Sequence, residues 1–274
     1  DPTNGNDLYL TIDSGLQRNL DYLMSNAYSE SGAEVVTAGV MEIKTGKILA
    51  MSTYPSFNPN ERNISTFNNY FLEGTIECGS VFKPFIYADS IEEGKYDHNA
   101  YYNSGSYNVY YGNKLVATIK DHNGGQGWGT ITYDQGLYHS SNVAICNLLD
   151  QGYVTKDVLT EKLNDLGFFQ GDTMDGLTCS SSINAYTRKN AGRLEYLTTG
   201  FGQGSTVTPY QLLKAYSVFG NDGKTVQPHI VDKVVNPETN KVVYQATPKY
   251  SKQIFSTNTI SQVKDLMLGV IEDE

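Results

Sequence analysis

The sequence predicts an α+β fold, an antiparallel sheet packed against helices with a mostly helical subdomain. Three observations carry that expectation: a β-hairpin pattern near the start, a block of helical patterns in the middle, and a return to strands before a closing helix. With 274 residues, the chain is long enough for one large domain or two small ones around a substantial core. Thirty acidic residues against twenty basic ones give a net charge of −10, which argues against nucleic acid or an anionic membrane surface as the main partner. No apolar run approaches the roughly 20 residues that span a bilayer, and no signal peptide opens the chain.

Ile12, Leu16, Leu20, Leu23 and Met24 fall on one helical face, with Asp13 as the cap. Residues 33–43 are rich in β-formers, Lys44-Thr45-Gly46 turns the chain, and residues 47–52 return. Residues 53–79, rich in Asn, Pro and Ser, read as a long irregular connection. A helix follows from about Ser80, with Phe82, Phe85, Ile86 and Ile91 inward and Gly94 as its stop. Pro84 fits because the N–H groups of a first helical turn lack intrahelical partners anyway. Residues 95–130 read as loop and short strand, ending in Asn123-Gly124-Gly125-Gln126-Gly127, and two short helices flank His139-Ser140-Ser141-Asn142. Thr208-Pro209 opens another helix through Gln211, Leu212, Ala215 and Tyr216, and a late hairpin spans residues 228–244. Ile260, Val263, Met267, Val270 and Ile271 mark a final helix. Residues 1–7 read as a linker and 8–274 as one domain.

Ser80-Val81-Phe82-Lys83 places a hydroxyl and an amine one helical turn apart at a helix start. A serine becomes a nucleophile when an adjacent base takes its proton, and a lysine in a dry pocket can have its pKa lowered enough to do so. The spacing alone is not specific. Ser261-Gln262-Val263-Lys264 repeats it off the apolar stripe of the final helix, and an isolated pair is more often a helix cap beside a solvated amine.

The ordered context decides. Ser140-Ser141-Asn142 lies about sixty residues on, inside His139-Ser140-Ser141-Asn142-Val143-Ala144 and after Gly129-Thr130-Ile131-Thr132. Leu10-Thr11-Ile12-Asp13 with Gln17, Lys44 to Met51 with Tyr54 to Asn60, Phe201-Gly202-Gln203-Gly204 through Leu213, and Val226 to Val231 extend the pattern. Together these residues resemble the penicillin-binding protein transpeptidases of the class B, monofunctional kind, whose signature is S-x-x-K, a second Ser triplet and K-T-G.

The resemblance implies that Ser80 attacks the carbonyl of a D-alanyl-D-alanine stem peptide, with Lys83 accepting its proton. Ser140 would relay a proton to the leaving amine, and Asn142 would hold the substrate amide and Lys83. Gly202, Gln203 and Gly204 would contact substrate. β-Lactam antibiotics would trap Ser80 as a slow ester. The family also implies anchorage to the outer face of the bacterial cytoplasmic membrane by an N-terminal segment outside this sequence, and cell-wall synthesis partners such as a glycosyltransferase. A serine β-lactamase or a non-enzymatic β-lactam sensor would share the Ser–Lys core. The family's K-T-G strand should follow the final helix, yet the sequence stops at Glu272-Asp273-Glu274. Lys44-Thr45-Gly46 and Gly223-Lys224-Thr225 come too early and read as turns. The expectation is therefore a domain incomplete at its C-terminus, inactive alone, with its K-T-G strand supplied by a second fragment of the same protein or belonging to a longer chain.

Acylation requires no cofactor, but a second departure suggests a metal. Cys78 stands where the family usually has proline. With Cys146, His139, Asp121 and His122, three or four ligands for a structural Zn²⁺ are on hand if the fold gathers them. The other reading makes Cys78 and Cys146 buried thiols that act as small hydrophobes.

Overall fold

The computed structural model describes residues 4–61 and 66–272. The chain opens with strand β1 (Asp7–Leu10) and helix α1 (Ser14–Ser31). The Asp13 carboxylate accepts from the Gly15 and Leu16 N–H groups at 2.8 and 2.9 Å, satisfying donors that a helix start leaves unpaired. Strands β2 (Val36–Met41) and β3 (Ile48–Tyr54) form the expected hairpin. Its Lys44-Thr45-Gly46 triplet is a turn, with the Gly46 N–H donating to the Glu42 carbonyl at 2.9 Å. After a short helix α2 (Tyr70–Glu73), a 3₁₀ turn over Gly79–Phe82 runs into α3 (Lys83–Glu92). Strands β4 (Tyr101–Asn103), β5 (Ser106–Tyr111), β6 (Lys114–Lys120) and β7 (Thr130–Thr132) precede helices α4 (Tyr133–Tyr138), α5 (Asn142–Asp150) and α6 (Lys156–Asp165). The remaining elements are β8 (Asp172–Met174), β9 (Leu177–Cys179), α7 (Arg193–Gly200), α8 (Pro209–Gly220), β10 (Val231–Asn236), β11 (Lys241–Gln245) and α9 (Thr257–Glu272).

The chain is α+β, and its ladders between strands are antiparallel. It divides into two compact units. The first comprises Asp1–Thr75, Gln170–Ser181 and Thr208–Lys252. There β10 lies between β1 and β11, with Leu8 opposite Val234 and Val234 opposite Tyr244. Ile48, Phe71, Leu72, Met174, Cys179 and Tyr210 form a core cluster. Thr208 caps α8 as its sequence predicts: its hydroxyl accepts from the Gln211 N–H, and the Gln211 side chain accepts from the Thr208 N–H. No residue of α1 is fully buried, and Leu23 on its predicted apolar face is 56% exposed.

The second unit comprises Ile76–Phe169, Ser182–Val207 and Gln253–Glu274. Helix α3 is its axis, with every residue from Lys83 to Ile91 buried. Phe82, Phe85 and Phe168 pack their rings with centroids 5.1 to 5.8 Å apart, close enough for edge-to-face contact. Gly200 lets α7 approach α5, since a Cβ there would fall 2.6 Å from Ile145 Cγ2 and 2.7 Å from Leu149 Cδ1. Asp150, at the end of α5, pairs with Arg193 and accepts from the Tyr107 hydroxyl, which ties β5 to α5 and α7. Glu92 accepts from the Ser256 N–H and the Thr259 hydroxyl, fastening α3 to the start of α9. The buried stripe of α9 is Thr259, Ile260, Val263 and Leu266; Ser261 and Lys264 are exposed. Ile271, expected inward, is 76% exposed.

Residues 95–130 hold more structure than the sequence pattern predicts. Strands β5 and β6 pair over their full length, from Ser106 opposite Lys120 to Tyr111 opposite Lys114. No described helix is long and apolar enough to cross a membrane. The packing of α3 yields a stability prediction: Phe85→Ala should destabilise the protein by about 3–5 kcal/mol in urea unfolding, whereas Ile271→Ala should stay within about 0.5 kcal/mol of the parent.

Candidate active site

Two glycines shape the turn that carries Ser80. Gly79 has φ +65° and Gly202 has φ +73°, both in the left-handed region that glycine enters without a Cβ penalty. The Gly79 N–H donates to the Gly202 carbonyl at 3.0 Å. A Cβ on Gly202 would lie 2.1 Å from the Gly79 oxygen, so only glycine lets these two backbone segments meet. The Gly204 N–H donates to the Glu77 carboxylate at 3.0 Å, and the Gln203 N–H donates to the Thr198 carbonyl at the same distance. Gly202 and Gly204, expected from the sequence to contact substrate, thus make these contacts to the segment that presents Ser80.

Lys83 begins α3, one turn after Ser80, and is only 1% exposed. Its ammonium finds three oxygen acceptors, matching its three hydrogens. Nζ donates to Ser80 Oγ at 3.1 Å, to Ser140 Oγ at 3.0 Å and to the Ser140 carbonyl. Burial lowers the Lys83 pKa to about 8, against the opposing pull of the Asp121 carboxylate, which favours the charged amine. The structure therefore brings Ser80, Lys83 and Ser140 into one hydrogen-bonded cluster, with a lysine that titrates close to neutrality.

Ser140 sits between α4 and α5 with φ +52°, a conformation unusual for a residue with a side chain. Its neighbours hold it there. The Ser140 N–H donates to the Leu137 carbonyl at 2.9 Å, and the Ser141 N–H to the Gly136 carbonyl at 2.7 Å. The Ser141 hydroxyl caps α5 by accepting from the Ala144 N–H at 3.0 Å. Asn142 is the first residue of α5, and its amide donates to the Lys120 carbonyl at 3.0 Å.

The expected zinc ligands do not assemble. Among the described residues, no group of three or more His, Cys, Asp or Glu side chains is placed to hold a metal ion. Each of the five has another setting. Asp121 accepts hydrogen bonds from Ser141, Val143 and Gly105. His139 stacks on Trp128 with centroids 4.6 Å apart and planes 7° apart, and His122 lies tilted against the same indole at 5.4 Å. Cys146 is wholly buried on α5, where it behaves as a small hydrophobe, and Cys78 lies on the turn before Ser80. The sequence supplies suitable ligand types, but among the described residues the fold does not gather three of them around one point.

The sequence offers Asp121 as one of five candidate zinc ligands and gives no sign of its bonds to the Ser141 loop. Nor does it show the pairing of Gly79 with Gly202. Its only sequence signal is the glycine at each position.

Comparison with known proteins covers most of the chain. The model of the penicillin binding protein transpeptidase domain matches residues 36–274. Stage V sporulation protein D of Bacillus subtilis is 30% identical over 278 residues, covering 99% of this chain and 42% of that protein. A probable peptidoglycan D,D-transpeptidase, PenA of Neisseria flavescens, is 26% identical over 281 residues, covering 99% of this chain and 63% of the relative. The chain thus spans less than two thirds of the length of either. Penicillin binding protein 2X from Streptococcus thermophilus superposes with a TM-score of 0.82 at 25% identity, covering 97% of this chain and 38% of that one. The transpeptidase domain of Burkholderia pseudomallei penicillin-binding protein 3 gives 0.76 at 22% identity, with 96% and 70% covered, and supports the fold alone. On its sequence and its architecture alike, the chain belongs to the penicillin binding protein transpeptidase domain family.

Proposed function

We propose that this chain is the catalytic part of a peptidoglycan D,D-transpeptidase that works through an acyl-enzyme on Ser80. The observation that carries the reading is the buried Lys83 amine, within hydrogen-bond reach of both Ser80 Oγ and Ser140 Oγ. In its neutral form Lys83 takes the Ser80 proton as Oγ attacks the penultimate D-alanine carbonyl. The Ser80 N–H, at the start of the helical turn, meets the developing oxyanion. Collapse of the tetrahedral intermediate breaks the peptide bond and releases the terminal D-alanine, whose amine receives a proton through Ser140. An amine from a neighbouring stem peptide then attacks the ester, forms the cross-link and returns the proton to Ser80. Asn142 orients the substrate amide at the mouth of the site.

A β-lactam presents its own acyl carbonyl to Ser80 and leaves an ester that persists, which makes these antibiotics covalent inhibitors. This chemistry assigns the protein to cell-wall synthesis on the outer face of the bacterial cytoplasmic membrane, where stem peptides are found. Its partners there would include the enzymes that polymerise glycan strands.

Fluorescent penicillin tests the reading directly in the full protein. A stable adduct on Ser80, absent from Ser80→Ala, is expected; release within seconds would instead indicate a β-lactamase, and no adduct would overturn the acyl-enzyme reading. An adduct without transpeptidation or D,D-carboxypeptidation of a stem-peptide analogue would identify a sensor.

The pH dependence has a definite sign. Because the working form of Lys83 is the neutral amine and its pKa is about 8, the acylation rate should climb about tenfold per unit as pH rises toward 8 and level off above it. A rate flat from about pH 6 to 9 would exclude Lys83 as the base. Gly202→Ala should slow acylation by about 100-fold, because the new Cβ displaces the backbone beneath Ser80; stopped-flow acylation rates for the variant and parent provide the check.

A further inference from the structure

We propose that Asp121 is a positioning residue for acyl transfer: its buried carboxylate locks the Ser140 turn in the conformation that aims both Ser140 oxygens at Lys83. The inference rests on the reading of Ser80 as the nucleophile.

Asp121 follows the end of β6 and is 2% exposed. Oδ1 accepts from the Ser141 hydroxyl at 2.9 Å and from the Val143 N–H at 3.1 Å, while Oδ2 accepts from the Gly105 N–H at 2.8 Å. The Asp121 backbone is fixed as well. Its N–H donates to the Gly105 carbonyl at 2.9 Å, and its carbonyl accepts from the Gly125 N–H at 3.1 Å. One carboxylate thus joins β6, the Gly105 bend and the first turn of α5, whose free N–H groups favour a negative charge.

Ser140 immediately precedes this anchored turn. A serine at φ +52° is held in a sparsely populated conformation, which persists only where the surroundings over-determine it. Hydrogen bonds from the Ser140 and Ser141 N–H groups to α4 provide one side of that constraint. Asp121 provides the other, gripping Ser141 by its hydroxyl and α5 by the Val143 N–H. If Ser141 turns away, the Ser140 carbonyl moves with the shared peptide plane, and Lys83 loses an acceptor.

The carboxylate also acts through its charge. Of the titratable groups near Lys83, Asp121 and Cys146, the carboxylate carries the charge, since burial pushes the Cys146 thiol up to about 12. Asp121 favours the charged amine and partly offsets the effect of burial, so one group sets both the geometry of the proton path and the pH at which its base becomes available.

Acylation of the full protein by fluorescent penicillin, followed across the pH range, tests the proposal in Asp121→Asn, Asp121→Glu and Ser141→Ala. Asn cannot accept from Gly105 through its NH₂ group and carries no charge. Its acylation should fall by about 10- to 100-fold, and the acid limb of its pH profile should move to lower pH, since a lysine without its counter-charge gives up its proton more easily. Glu keeps the charge but misplaces it, so acylation should slow with the acid limb in place. Ser141→Ala should behave like Glu.

Wild-type acylation in Asp121→Asn would overturn the proposal. So would a loss in that variant matching only its unfolded fraction, with the acid limb unmoved. If Asp121→Asn does not fold by circular dichroism, folded Asp121→Glu and Ser141→Ala decide the matter, and wild-type rates in both overturn it. Absence of a Ser80 adduct in the parent protein would instead refute the acyl-enzyme reading, a result distinct from any of these.

Discussion

The Lys83 amine is withdrawn from water and given oxygen acceptors from Ser80 and Ser140, and much of the surrounding unit serves that arrangement. Removing an ammonium from water is costly unless every hydrogen finds a partner, and the cost itself depresses the amine's affinity for its proton. The fold meets both conditions. Helix α3 is buried from Lys83 to Ile91, which keeps the amine at its first residue out of water. The acceptors come from a separate piece of chain, held at α4 and α5 by its own hydrogen bonds.

Backbone conformation completes the arrangement. Gly79 and Gly202 enter left-handed space freely, and their contact leaves no room for a side chain. Ser140 adopts the same region with a side chain that the chemistry needs, so its strain has to be met by neighbouring bonds. Glycine sits where the backbone alone matters. Serine sits where the conformation and a hydroxyl are needed together.

Much of this was legible in the sequence, because it is written in local spacing. Ser80 and Lys83 lie one turn apart, Asp13 and Thr208 stand where helix caps belong, and Thr45-Gly46 closes a hairpin between two β-rich runs. The parts that stayed hidden depend on groups that every residue carries. Asp121 is bound largely by backbone N–H groups, which leave no mark in the letters of their residues, so its acidity read as a metal ligand. His122 and His139 offered ligand atoms, yet their rings lie against Trp128. The β5–β6 hairpin escaped notice because exposed apolar residues such as Tyr110, Tyr111, Leu115 and Val116 blur the alternation that would have identified it.

Trp128 is the single tryptophan of the chain, and it stacks on His139, the residue next to Ser140. Indole emission responds to the group stacked on the ring. The tryptophan emission of this domain therefore arises at one place, a residue away from the proton path. Any movement of the Ser140 turn that separates the two rings changes the optical signal without a label, so the chain carries its own spectroscopic gauge of active-site geometry.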